Sequence, residues 1–154
     1  MPKIDLKELK VTTGTNYPPP HDAPCLARSK ISLGDPVGLT QFGAHIVTLP
    51  PGAWSSQRHW HSEEDELVIV LKGHPTLFDE RGPQTLSPGD ITAHKAGVPN
   101  GHHMKNETNE LIKFLIIGGR APETDHVQYP DIDLCLPANG TSNRRYTHNN
   151  GEPY

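Results

Sequence analysis

The sequence predicts an all-β fold, and three observations carry the prediction. Only 33% of the 154 residues are hydrophobic, while 14 Gly and 16 Pro punctuate the chain, a balance that suits short strands and turns better than long helices. Apolar residues cluster in short runs bounded by Gly, Pro, Asn and Asp. The run 67–71, Leu-Val-Ile-Val-Leu, has the length and β-branched content of a strand buried on both faces.

Taken in order, residues 1–26 read as an extended arm available to pack on a second subunit, because Pro18, Pro19, Pro20 and Pro24 cannot donate ladder hydrogen bonds. Residues 27–118 form the predicted barrel. Strands are expected at 27–33 and 40–49, set off by Gly34-Asp35-Pro36 and Pro50-Pro51-Gly52. After Gly73, residues 74–79 and 84–86 read as a hairpin around Glu80-Arg81-Gly82, and Ser87-Pro88-Gly89-Asp90 as a tight turn. Short strands follow at 91–94 and 102–106, then a last apolar strand at 111–117. Residues 119–154 read as a polar tail over the barrel that adds little core, with Ile132, Leu134 and Leu136 as its alternating apolar set.

The chemistry concentrates between Gly52 and Gly73. His59 and His61 are two residues apart, so on extended backbone their imidazoles share a face and Trp60 points the other way. Residues 62–65 read as a turn that returns Glu66, at the head of the 67–71 strand, beside the two histidines. Two imidazoles and a carboxylate form a mixed nitrogen and oxygen site that suits one divalent transition metal among Mn, Fe, Ni, Co, Cu and Zn. A further ligand is expected downstream.

Composition excludes other classes. A net charge of −4 offers no electrostatic footprint for nucleic acid or an anionic membrane. Cys25 and Cys135 sit in no CxxC pattern, which speaks against a zinc knuckle or redox pair. No leader-like apolar run opens the sequence, so a cytoplasmic setting is expected and the sequons at Asn106 and Asn139 are read as accidental.

The spacing of these residues resembles the two motifs of the cupin superfamily. Gly52, His59, His61, Glu66 and Gly73 occupy the first motif; Gly89, Gly97, His102 and Asn106 occupy the second, with Lys95 where the family usually has Pro. The resemblance implies a single jelly-roll β-barrel and a cation held by His59, His61, Glu66 and His102. The spacer between Gly97 and His102 is longer than usual, which leaves His103 as a rival. His102 is preferred, because it keeps the three-residue step to Asn106 and because His103 would face the opposite side of a strand.

More narrowly, Arg58-His59-Trp60-His61, the Gly97–His102 stretch and the Gly-Glu-Pro-Tyr ending resemble a group of small single-domain bacterial cupins, some of them named as sugar phosphate isomerases. The implied function is a metal-dependent, isomerase-like enzyme acting on a sugar phosphate or a hydroxy or keto acid. A cupin-type dioxygenase or a small-molecule sensor are the alternatives. Arg58 and Lys95 are candidates for holding a substrate anion, and His94 for the pocket rim; no general acid or base is assigned. A homodimer is expected, because a strand apolar on both faces needs cover from a second layer.

Overall fold

The computed structural model describes residues 3–138 and 144–154, so the Asn139 sequon lies outside the described residues. Among the described residues twelve strands are present: β1 (Val11–Thr13), β2 (Ser29–Ser32), β3 (Phe42–Leu49), β4 (Trp60–His61), β5 (Glu66–Lys72), β6 (Thr76–Asp79), β7 (Gly82–Thr85), β8 (Ile91–His94), β9 (His103–Lys105), β10 (Ile112–Gly119), β11 (Val127–Tyr129) and β12 (Leu134–Leu136). One layer is a six-stranded sheet in the order β1-β2-β3-β10-β5-β8. Two three-stranded sheets, β12-β11-β4 and β7-β6-β9, make the other layer. A bridge between His59 and His102 joins them. The result is a jelly roll.

Alternation fills the space between the layers. Val47, Leu49, Val68, Val70, Ile112 and Phe114 point inward from β3, β5 and β10 and meet Leu77 of β6 and Met104 of β9 in one buried core. Burying side chains of this size stabilises by about 1.5–3 kcal/mol each. Gly73 closes β5 with φ +77, and a Cβ there would lie 2.9 Å from Ile112 Cγ1, so only glycine lets the chain turn against β10.

Three expectations change. The run 67–71 is not covered on both faces: Val68 and Val70 are buried, whereas Leu67 and Ile69 are half-buried and Leu71 is exposed, because among the described residues no second layer covers the outer face of the six-stranded sheet. The arm packs on its own chain. β1 pairs with β2, the Trp54 amide donates to the Pro24 carbonyl at 2.9 Å, and Tyr17 and Cys25 are buried. The tail contributes core after all, since β11 and β12 extend the sheet of β4 and place Val127, Tyr129 and Leu134 against Tyr17 and Cys25. Among the described residues no helix is long and apolar enough to cross a membrane.

Asn106 is a structural clamp. It is 1% exposed, donates to the Leu49 and Glu110 carbonyls at 2.9 and 2.7 Å, and accepts from Thr108. Its amide nitrogen is fully engaged, which agrees with the reading of its sequon as accidental.

Candidate metal centre

Backbone geometry aims the ligands before any ion is considered. The paired amides and carbonyls of His59 and His102, at 2.9 and 3.2 Å, hold these two residues side by side across the seam between the smaller sheets. Their ring centroids are 5.0 Å apart, and those of His59 and His61 are 5.2 Å apart. Glu66, first residue of β5, reaches the same place from the opposite layer. One ligand atom each from His59, His61 and Glu66 lie within 4.8 Å of one another.

Two of the imidazoles, those of His59 and His61, are anchored by one nitrogen each, while the buried Nδ1 of His102 has no partner among the described residues. His59 Nδ1 meets the Gln57 carbonyl at 2.9 Å and His61 Nδ1 meets Asp125 Oδ2 at 2.9 Å, so a proton on each Nδ1 leaves Nε2 bare for a cation. His102 Nε2 lies 3.1 Å from Glu66 Oε2, about the separation of two adjacent donors bonded to one ion at roughly 2.1 Å. Its ring stacks on His94 with centroids 3.5 Å apart and planes 9° apart. The donor set therefore fits a divalent transition metal.

Charge agrees with geometry. Burial, with help from the neighbouring imidazoles, draws the His59 pKa down to about 3. Burial would raise Glu66, but the hydrogen bond from His102 and the surrounding imidazoles outweigh it and hold the carboxyl at about 2. The cluster thus offers a neutral ring and an ionised carboxylate. His61 is opposite in sense: burial lowers it, yet the bond to Asp125 carries the net shift upward.

Asp125 is the residue that the sequence did not reveal. It stands 64 positions from His61, is completely buried, and accepts from the Glu63 amide at 3.1 Å as well as from His61. Arg144 Nη1 lies 3.5 Å away. His61, Glu64 and Asp125 form a second group with metal-binding potential, but Asp125 is already committed to these donors and acts on His61 Nδ1. No local signal marks it, because β4 and β11 pair across a long stretch of chain.

The other candidates separate. Arg58 alternates away from the histidines: its fork pairs with Asp131 in two 2.7 Å bonds and reaches Glu80 at 2.7 Å, so it is not free to hold a substrate. His103 also turns away, bonding the Ser56 carbonyl at 3.0 Å between the rings of Trp54 and Phe78. Lys95 and His94 line a small cavity of about 190 Å³ on one side of Glu66 and His102. A larger cavity of about 390 Å³ opens on the other side, bounded by His59, His61, Glu66 and the inner faces of β2, β3 and β10. Gly118 and Gly43 sit opposite Glu66 in successive register; a Cβ at Gly118 would meet only the Asp65 carbonyl oxygen at 3.7 Å, whereas beside Gly43 the His45 ring and the Arg120 guanidinium take up the space.

The sequence and the fold have counterparts among known proteins. A cupin domain model matches residues 45–118. A sugar phosphate isomerase of the cupin superfamily from Silicibacter pomeroyi superposes with a TM-score of 0.93 at 40% identity, covering 99% of this chain and 96% of that one. The chain belongs to the cupin superfamily. A second structure, a candidate sugar phosphate isomerase from Acidithiobacillus ferrooxidans, has a TM-score of 0.72 at 33% identity over 79% of this chain and 76% of its own. The polyketide cyclase RemF from Streptomyces resistomycificus, at 17% identity, TM-score 0.62 and 77% and 79% coverage, shares the cupin fold alone. No curated protein matches the chain.

Proposed function

We propose that this cupin is a metal-dependent, isomerase-like enzyme acting on a small oxygen-rich metabolite, a sugar phosphate or a hydroxy or keto acid. The observation that carries the reading is the convergence of His59, His61 and Glu66 on the wall of the larger cavity, with both histidines anchored through Nδ1. His59, His61, Glu66 and His102 would hold one divalent cation. Such an ion polarises a carbonyl or orients a chelating hydroxyl. Asp125 and the Gln57 carbonyl fix the rings, and His94 supports His102 by stacking. The names of the two relatives above 30% identity support a sugar phosphate as substrate.

Elemental analysis of tag-free protein should find close to one divalent metal per chain, and His59→Ala should lose it while melting cooperatively. Full metal retention in His59→Ala would refute the ligand assignment. A panel of sugar phosphates and hydroxy acids should show turnover that a chelator abolishes; binding without turnover across the panel would make the protein a sensor.

A second copy of this chain is the proposed cover for the outer sheet face. Val11, Ile31, Ile46, Leu115, Ile69 and Ile91 stand in register across all six strands, an unbroken apolar row. Ile91 is 61% exposed and Val11 56%. Apolar rows of this extent on a monomer mark an interaction surface.

A further inference from the structure

Strand β2, Ser29-Lys30-Ile31-Ser32, is inverted with respect to the usual pattern. Its register against β3 pairs Ile31 with outward-facing Ile46 and Lys30 with inward-facing Val47, so the isoleucine lies on the outer face and the lysine on the inner face, where it remains exposed at the cavity rim. Lys30 lines the larger cavity. A polar residue placed where alternation calls for an apolar one marks a position held for function.

Two arginines share that side of the cavity, and both are engaged. Arg28 donates from Nε to the Gly14 carbonyl at 3.1 Å, to the Ser55 carbonyl, and to Thr15 Oγ1 at 3.4 Å. Arg120 donates to the Leu39 carbonyl at 3.1 Å and pairs with Asp35. Lys30 makes no ion pair or side-chain hydrogen bond among the described residues. Among the described residues its ammonium is the unpaired cation of the cavity wall. His45, on the neighbouring register row, presents a buried Nδ1 with no partner.

We infer that Lys30, with His45 beside it, binds the phosphate of the substrate, while the metal-binding wall takes the oxygens at the other end. With both guanidinium forks occupied, what remains is a three-donor ammonium point charge of the kind that commonly binds phosphate, and comparison with acetate decides between phosphate and carboxylate. Arg28 and Arg120 add positive potential without direct contact. Lys30 stands in the Val47–Phe114–Val70 row and Glu66 in the Gly43–Gly118 row, so they are three strand spacings (about 14 Å) apart across the sheet and four residues (about 13 Å) apart along it. Gly43 and Gly118 share the Glu66 row, and His45 and Ile116 stand in the row between it and Lys30. The cavity therefore has a metal-binding end beside the two glycines and a cationic end at Lys30, with His45 and Ile116 lining the stretch between.

This inference rests on the proposed metal-bound substrate only for the orientation, and the test separates the two. Titration calorimetry with inorganic phosphate should show binding to the wild-type protein, weakened about tenfold or more in Lys30→Met with metal content unchanged. His59→Ala should lose metal yet bind phosphate within about twofold of wild type. Loss of metal binding in the wild type with Lys30-dependent phosphate binding intact would sink the metal reading and leave this one standing. Phosphate binding that survives Lys30→Met, is absent in the wild type, or disappears in His59→Ala alone would overturn the inference. Acetate binding as tightly as phosphate would overturn the choice of phosphate. Lys30→Gln provides a second variant should Lys30→Met melt at lower temperature.

Discussion

Asp125→Asn isolates the orientation of His61 from the fold. The carboxylate accepts from His61 Nδ1 at 2.9 Å and from the Glu63 amide at 3.1 Å, and its side chain is wholly buried. An asparagine of the same shape has only one acceptor oxygen. If that oxygen stays on the Glu63 amide, the new NH₂ group faces His61, which must then accept at Nδ1 and carry its proton on Nε2, where a metal would bind. If the amide flips, a donor faces a donor. Loss of such an orienting partner lowers metal affinity about 10- to 100-fold, or about 1.4–2.8 kcal/mol. Zinc titration against a chromophoric chelator measures this directly, and melting of the metal-free proteins separates it from unfolding. Arg144 keeps the Asp125 and Leu136 carbonyls at 2.7 and 2.8 Å, so the segment stays anchored. Zinc affinity in Asp125→Asn and Asp125→Ala within about twofold of wild type would show that the ring needs no such partner.

Other perturbations follow from the same geometry. Asp79 is buried and accepts from the Arg81 amide and guanidinium at 2.8–3.1 Å; burial alone would raise its pKa, but these bonds lower it overall. Its ionised form therefore stabilises the fold above the unfolded value of about 4, and this is lost as pH falls through the depressed folded value. Asp79→Asn should cost about 1–3 kcal/mol at pH 7, with the difference in melting temperature shrinking below about pH 4; a pH-independent difference would contradict this. Gly118→Leu should keep its metal but lose at least about tenfold in small-molecule binding, because the position faces the cavity and a Cβ there meets only the Asp65 carbonyl oxygen at 3.7 Å. Unchanged binding would move the substrate elsewhere. Light scattering should find a dimer at micromolar concentration, and Leu115→Lys, at the centre of the outer row, should dissociate it; a wild-type monomer would remove the second copy.

Much of the barrel was legible because local signals and tertiary pairing agreed. Strand β3, read from the sequence as 40–49, occupies Phe42–Leu49, and β8 falls on Ile91–His94 as read. The Ser87–Asp90 turn forms with Gly89 at φ +94 and Ser87 bonded to Asp90 at 2.7 Å. The tail strands were read poorly for a physical reason. β11 and β12 have three residues each, β11 abuts Pro130, and their apolar faces are buried by Tyr17 and Cys25 from more than 100 positions away.

The site was legible where it obeyed strand alternation and hidden where it depended on direction. On the inner face, β3 runs backward from Leu49 and Val47 to His45 and Gly43, while β5 runs backward from Val70 and Val68 to Glu66. β10, antiparallel to both, runs forward from Ile112 and Phe114 through Ile116 to Gly118. In space all three change from large and apolar to small or polar at the same end of the barrel. A sequence pattern sees two strands that open with polar or small residues and one that ends with glycines, and no common rule. Only the antiparallel register aligns the three gradients, leaving a packed core at one end and a cavity at the other. Lys30 belongs to this arrangement although it sits in register with Val47 beside the apolar rows, because β2 is near the sheet edge, where the core has thinned and a long side chain can extend into the cavity from its rim.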